Sequence, residues 1–290
     1  RRLTVSKQGQ EGTAEVQDTH LHYSRTGTGD AIILIAGLGG NADLWHRQTT
    51  ALSRSHEVVT FDNRGSARSG VPTGPYTIQT MAADTVQLLD ALDIAAAHIV
   101  GTSMGAMIAQ EVAIQYPDKA LTLTLMGAQP GGTHAFVPPA EETEALEALA
   151  TSELEPMERS RAWLPHIFSE EFIAANKALI DEYVEISSRW STTTEGLKAQ
   201  WAALMSYDSW ERLPWITAPT LILHGSLDRL VPVENADTLC VRIPNSRVAV
   251  VEGAGHSISY EAADTVNELL LEFFAENRYV DEPEDGQSTE

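Results

Sequence analysis

The sequence predicts an α/β fold: a mostly parallel central sheet flanked by helices, with a block of helices inserted late in the strand order. Three observations predict it. Short apolar runs alternate with helix-period segments along most of the chain, the pattern of buried parallel strands with helices packed on them. A Gly-x-Ser-x-Gly at 101–105 stands where one such run gives way to a helix. Between 129 and 213 the strand-like runs stop, and Ala, Leu and Glu dominate with Trp163, Trp190, Trp201 and Trp210 among them.

Two weak strands at 14–16 and 20–23 form an antiparallel hairpin ahead of the main sheet. Stronger strands follow at 31–36, 58–61, 98–101, 121–125, 220–223 and 248–251. Helices fit over 44–52, 77–92, 104–116, 233–241 and 260–276. In the helix over 77–92, Ile78, Met81, Leu88 and Leu92 share a face, and Thr77 suits the N-cap. The expected division is a core of 1–128 and 214–278, a helical cap over 129–213, and an acidic, disordered tail at 279–290. The cap leaves the sheet between the strands near 125 and 220, at their carboxyl ends, and Gln129-Pro130-Gly131-Gly132-Thr133 supplies a hinge for it.

Lys and Arg number 19 against 41 Asp and Glu, a formal net charge of −22. Such a surface repels nucleic acid and anionic membranes, so neither is expected as a partner. No apolar run approaches the roughly 18 residues of a membrane-spanning helix. The first eight residues are polar and lack the apolar core of a secretory signal. With no such signal visible the expectation is a cytoplasmic protein, although the chain does not begin with Met. One cysteine, Cys240, leaves no partner for an intrachain disulfide and falls at an apolar position of a late helix. His20 and His22 share a strand face without an evident third ligand, so no metal site is expected.

The chemistry starts at Gly101-Thr102-Ser103-Met104-Gly105. A strand that turns directly into a helix needs small residues beside Ser103, and the turn lifts the hydroxyl above the sheet. The N–H of Met104, at the positive end of the helix, then points at developing negative charge. A serine nucleophile needs a base, and in this topology the acid and the histidine follow it in that order. The strand at 220–223 runs into a loop containing Asp228, and the strand at 248–251 runs into Glu252-Gly253-Ala254-Gly255-His256. Both loops lie at carboxyl ends of strands, where α/β sheets place their sites. The expected roles are nucleophile for Ser103, general base for His256 and orienting acid for Asp228. A second oxyanion donor should come from the glycine-rich loop after 31–36, with the N–H of Leu38 as the candidate.

From about residue 31 to 274, outside the cap, the chain resembles the α/β-hydrolase superfamily. The resemblance rests on Gly37-Leu38-Gly39, Asp62-Asn63-Arg64-Gly65, Gly101-Thr102-Ser103-Met104-Gly105, Pro219-Thr220-Leu221, Gly225-Ser226-Leu227-Asp228 and Gly255-His256. Pro72-Thr73-Gly74-Pro75-Tyr76-Thr77 and the next helix are similar to 3-oxoadipate enol-lactonases and related small carboxylesterases. Two positions depart from that pattern: Ala36 replaces a usual histidine, and Ala67 a frequent glycine. Serine at the turn separates the chain from the haloalkane dehalogenases and epoxide hydrolases, which carry aspartate there, and from the cysteine-based dienelactone hydrolases. The resemblance implies a cofactor-free hydrolase cleaving a small carboxylic ester or lactone.

Other readings compete. An enol-lactonase, or a perhydrolase of the non-haem haloperoxidase type, uses the same parts. Gly37-Leu38-Gly39-Gly40-Asn41-Ala42 also matches G-x-G-x-x-A, with Asp62 placed as a ribose-binding acid would be in a nicotinamide-dependent oxidoreductase. That assignment leaves Ser103, Asp228 and His256 without a purpose. A non-catalytic receptor on the same fold is the remaining alternative. Asp62 and Arg64 are expected to brace a loop beside the site.

Overall fold

The computed structural model describes residues 9–190 and 192–277, and the acidic tail expected at 279–290 lies outside the described residues. An eight-stranded sheet runs in the order β1-β2-β4-β3-β5-β6-β7-β8. The hairpin of β1 (Gln10–Val16) and β2 (Thr19–Gly27) is antiparallel, and β2 joins β4 (Glu57–Phe61) antiparallel as well. From β4 onward every pairing is parallel, through β3 (Ala31–Ile35), β5 (Ala97–Thr102), β6 (Ala120–Met126), β7 (Thr220–Gly225) and β8 (Ser246–Val251). Every side chain of β3 and β7 is buried, which is why these strands appear in the sequence as unbroken apolar runs rather than alternations.

Helices cover both faces. On one side α2 (Ile78–Ala91) and α3 (Met104–Gln115) pack on Ile33, Ile35, Val59, Phe61 and Ile99. Thr77 caps α2 by accepting the N–H of Thr80. On the other side Val266, Leu270, Phe273 and Phe274 of α11 (Ala263–Glu276) and Leu52 of α1 (His46–Leu52) close over Ile32, Leu34, Val58 and Val100. Burying such side chains stabilises the fold by about 1.5–3 kcal/mol each. The helix α9 (Glu234–Arg242) joins β7 to β8 and carries Cys240, which is half-buried.

Two expected helices differ from the sequence reading. The first turn of 44–52 is a 3₁₀ segment over Ala42–Trp45 that leads into α1. The helix expected at 260–276 is two pieces, α10 (Ile258–Glu261) and α11, broken at Ala262. The break accompanies an inward role for Glu261, whose carboxylate accepts the N–H groups of Gly255 at 3.0 Å and Ser169 at 3.2 Å.

Between β6 and β7 the chain forms α4 (Ala140–Ala150), α5 (Pro156–Ile167), α6 (Glu170–Ala175), α7 (Lys177–Arg189) and α8 (Thr194–Met205). The apolar faces of α5, α6 and α7 meet in a small cluster that includes Leu164, Phe168, Phe172, Ile180 and Val184 and is joined by Tyr260 of α10, whereas Ala203 of α8 packs into the core on the side of α2 and α3. The two ends of this insert are bonded to each other: Gly131 forms an antiparallel bridge with Asp208, and Ser209 N donates to Pro130 O at 2.9 Å. Among the described residues no helix is long and apolar enough to cross a membrane.

Candidate active site

Ser103 occupies the single residue between β5 and α3, with φ 55° and ψ −121°. A non-glycine residue in this region is strained by ~1–2 kcal/mol. Its neighbours hold it there: Ser103 N donates to Met126 O at 2.8 Å, and Ala106 N donates to Ser103 O at 2.9 Å. The flanking glycines are required by close approach. A Cβ on Gly101 would lie 2.1 Å from Gly105 O, and one on Gly105 would lie 2.1 Å from Ile35 O.

The loop after β3 lies directly against this turn. A Cβ on Gly37 would stand 3.2 Å from the Ser103 Cβ. Gly40 N donates to Gly37 O at 3.1 Å, and Gly39 N donates to Gln200 Oε1 of α8 at 2.9 Å. The N–H of Leu38 between them has no acceptor among the described residues. Met104 opens α3, and the first amides of a helix have no intrahelical acceptor. Leu38, in the loop that lies against Ser103, and Met104, the residue after it, thus each carry a backbone N–H without an acceptor among the described residues.

Asp228 is buried in the loop after β7 with both carboxylate oxygens occupied. Oδ1 accepts the N–H groups of Leu230 at 2.9 Å and Val231 at 2.8 Å. Oδ2 lies 2.7 Å from His256 Nδ1 and 3.3 Å from His224 Nε2. Burial alone would raise its pKa, but the two imidazoles outweigh burial and hold the carboxyl well below the usual range. A carboxylate only accepts, so His256 Nδ1 carries the proton. His256 Nε2 is buried and has no hydrogen-bond partner among the described residues.

The histidine loop is fixed from the insert. Ser257 N donates to Ile167 O at 2.8 Å, and a Cβ on Gly255 would come within 2.9 Å of Phe168 C and Ser169 N. Ser103 and His256 share the wall of one cavity of about 320 Å³, roofed by the insert and mostly apolar. Trp163 and Trp201 line it, whereas Trp190 and Trp210 do not. Trp190 instead stacks beneath Arg68 and donates to Asp43, and Trp210 stacks on His134.

All five residues singled out in the sequence therefore surround one cavity or buttress its wall. Asp62 and Arg64 brace loops, as expected. Asp62 Oδ1 accepts Ala42 N at 2.7 Å and Oδ2 accepts Arg68 Nε at 2.7 Å, so internal groups already occupy both oxygens that a ribose would need. Arg64 pairs with Asp84 and Asp18. Sequence reasoning missed His224, whose Nε2 also donates to Val231 O at 2.8 Å. Its place at the end of β7, four residues before Asp228, was the available signal. It also missed Gln200, whose amide reaches Gly39 N, Arg64 O and Ser66 Oγ from the insert.

Comparison with known proteins agrees with this architecture. Residues 30–263 match the family model described as alpha/beta hydrolase fold. The chain is 32% identical to a putative carbamate hydrolase RutD of Azorhizobium caulinodans, over 89% of this chain and 96% of that protein. It is 34% identical to a putative non-heme bromoperoxidase BpoC of Mycobacterium tuberculosis, over 88% of this chain and 98% of that one. Among solved structures, the enol-lactonase from Burkholderia xenovorans superposes with a TM-score of 0.81 at 26% identity, covering 91% of this chain and 100% of its own. With the sheet, the turn at Ser103 and the family match in agreement, the chain belongs to the α/β-hydrolase fold family and is a hydrolase.

Proposed function

We propose that the protein cleaves a small carboxylic ester or lactone through an acyl-enzyme on Ser103. The supporting observation is a conjunction: Ser103 is held in a strained turn on the wall of an apolar cavity, and the same wall carries His256, tied to buried Asp228 at 2.7 Å with Nε2 unpartnered. His256 Nε2 takes the hydroxyl proton as Ser103 Oγ attacks the acyl carbon. The amides of Leu38 and Met104 hold the oxyanion. The tetrahedral adduct collapses, the bond from carbon to the alcohol oxygen breaks, and His256 returns the proton to the leaving alcohol. Water, deprotonated by the same nitrogen, then attacks the acyl carbon and releases the acid and Ser103. Asp228 fixes the tautomer and steadies the imidazolium. The chemistry calls for no cofactor or metal.

In this reading residues 129–213 are a cap that shapes the pocket over the core of 1–128 and 214–278. The enol-lactonase structure and the bromoperoxidase and carbamate hydrolase relatives supply neighbouring readings, in which the acyl acceptor or the scissile bond differs while Ser103 remains the nucleophile. A panel of p-nitrophenyl esters of rising chain length, with lactones and carbamates beside it, separates them. A fluorophosphonate should label Ser103, and Ser103→Ala should abolish both labelling and turnover while leaving the circular dichroism unchanged. Labelling at a different serine, with Ser103 unmodified, refutes the assignment.

A further inference from the structure

The loop that carries Leu38 is held from the insert as well as from the core. Gly37, Gly39 and Gly40 give this loop a backbone of wide freedom. Within it, Gly40 N closes a turn on Gly37 O, and Asn63 Nδ2 of the core holds Ala36 O just ahead of it at 3.0 Å. Further bonds come from the insert. Gln200 Oε1 of α8 accepts Gly39 N at 2.9 Å, Thr192 Oγ1 donates to Gly39 O at 3.1 Å, and Asn41 Nδ2 donates to Ile186 O at 3.0 Å. Gly39, at φ 64°, is therefore gripped at both its N–H and its carbonyl.

Gln200 is fully buried, and its amide is committed at both ends. Nε2 donates to Arg64 O at 2.7 Å and to Ser66 Oγ at 2.8 Å. Gly39 N–H only donates and Arg64 O only accepts, so these partners settle which end of the amide is oxygen. The helix is seated close to both loops: a Cβ on Gly196 would lie 2.0 Å from Gly65 O, and one on Gly39 would lie 2.9 Å from Leu197 Cδ1. A polar network this buried stabilises only while every member keeps its partner. An apolar residue in place of Gln200 would leave Gly39 N–H and Arg64 O unpaired and return the glycine loop to its own turn bond. An oxyanion donor works by being aimed before the charge develops, so the loop that carries it has to be fixed in advance.

We propose that Gln200, assisted by Thr192, is a positioning residue for the oxyanion donor on Leu38: the insert completes the site as well as roofing it, and the oxyanion is held only while α8 is docked. This rests on the reading of Ser103 as the nucleophile and of Leu38 as a donor. In the competing account Gln200 only fastens the insert to the core.

The two accounts part on what is lost. Gln200→Leu should lower kcat for a p-nitrophenyl ester by about 10- to 100-fold with KM within about threefold of wild type, because the interaction is made chiefly in the transition state. An alkyl trifluoromethyl ketone, whose carbonyl carbon adds Ser103 Oγ to give a tetrahedral oxyanion, should bind more weakly by a similar factor. The corresponding trifluoromethyl carbinol, which forms no adduct, should keep its affinity. The rise of kcat/KM with pH should stay where it is in wild type, since neither His256 nor Asp228 is touched. Equal weakening of ketone and carbinol in a folded Gln200→Leu, an unchanged kcat, or a displaced pH profile overturns the proposal. Should Gln200→Leu not fold, Thr192 decides. Thr192→Val removes the hydroxyl at nearly constant shape and should repeat the pattern at about 3- to 10-fold, and Thr192→Ser should restore wild-type behaviour. Wild-type ketone affinity in Thr192→Val overturns the proposal. If a fluorophosphonate leaves Ser103 of the wild type unlabelled, the hydrolytic reading and this proposal fall together; a labelled Ser103 with an indifferent Gln200→Leu removes this proposal alone.

Discussion

Gly127 faces the edge of the His256 ring so closely that a Cβ on it would stand 2.9 Å from Cε1 and 3.0 Å from Nδ1, and 3.4 Å from Asp228 Oδ2. Its φ is 54°. Gly127→Ala should therefore displace the imidazole. A shift on the order of 1 Å costs about 10²-fold in rate, with ~1–2 kcal/mol of lost stability from the left-handed backbone. Steady-state kinetics and urea unfolding check this. A Gly127→Ala protein with wild-type kcat would mean that His256 tolerates the displacement.

Asp228→Asn keeps an oxygen for the amides of Leu230 and Val231 but turns an NH₂ toward His256 Nδ1. The ring must then present its lone pair there and its proton at Nε2, the wrong tautomer for a base, and the rate should fall by about 10⁴. The pH behaviour follows from the depressed carboxyl pKa, caused by the two imidazoles against opposing burial. Its stabilising share is full above the unfolded value near ~4 and is lost as pH falls through the lower folded value. Carbon-13 titration of Asp228 should show an ionised carboxylate throughout mildly acidic pH. A midpoint at or above ~4 contradicts the geometry.

His98, buried on β5, gives Nδ1 to a 2.8 Å contact with Thr122 Oγ1, leaves Nε2 unpartnered and stacks on Phe274. Burial first, and then repulsion from His56, pulls its pKa from 6.5 to about 4, against a weak opposing pull from Asp30. The unfolded chain therefore binds a proton that the folded one refuses, and stability falls as pH drops from about 6.5 toward 4. The His98 share of that loss between pH 7 and 5 is about 2 kcal/mol. The stability difference between wild type and His98→Leu, read from urea unfolding, should move in the variant's favour by about that amount as pH falls from 7 to 5; parallel curves would remove His98 as the cause.

Ala67 adopts φ 47°, in the left-handed region. Ala67→Gly should relieve that strain and stabilise the protein by about 1 kcal/mol, less the extra entropy of glycine in the unfolded chain. Thermal unfolding reads the change, and a lower Tm would show that the alanine methyl contributes more by packing than its backbone loses.

Trp163 and Trp201 line the cavity, and Trp190 and Trp210 lie outside it. Leucine at either of the first pair should shift chain-length preference by about 1–3 kcal/mol in the ratio of kcat/KM values. Leucine at either of the second pair should leave that ratio alone. A shift confined to Trp190 or Trp210 would reverse the assignment of the pocket wall.

The sheet was legible because strands such as β3 and β7, buried on both faces, leave continuous apolar runs, and because glycines accompany the turn at Ser103. Ser103, Asp228 and His256 were legible as a set through chain order and through their places after strands. What escaped depends on approach between distant segments. Gln200 grips the Gly39 amide across 161 positions, and no local pattern marks that contact. Gly127 looks like any loop glycine until the His256 ring stands beside it. The break at Ala262 follows Glu261, whose partner Ser169 lies 92 positions away in the insert. The four tryptophans of the insert looked equivalent in sequence, because helix period alone does not say which face meets the cavity.

The bridge between Gly131 and Asp208 makes the insert an exchangeable cassette. The chain leaves the sheet and returns to it through one joined pair of residues, so whatever lies between them is already a closed loop. Altering its length by several residues changes the closure entropy by well under about 1 kcal/mol and puts no strain on the register of β6 against β7. Under the proposed reading, substrate range diverges by rewriting those parts of the cassette that do not hold the site, leaving Ile167 against Ser257 and Gln200 against Gly39, while β5, β7 and β8 keep their alignment.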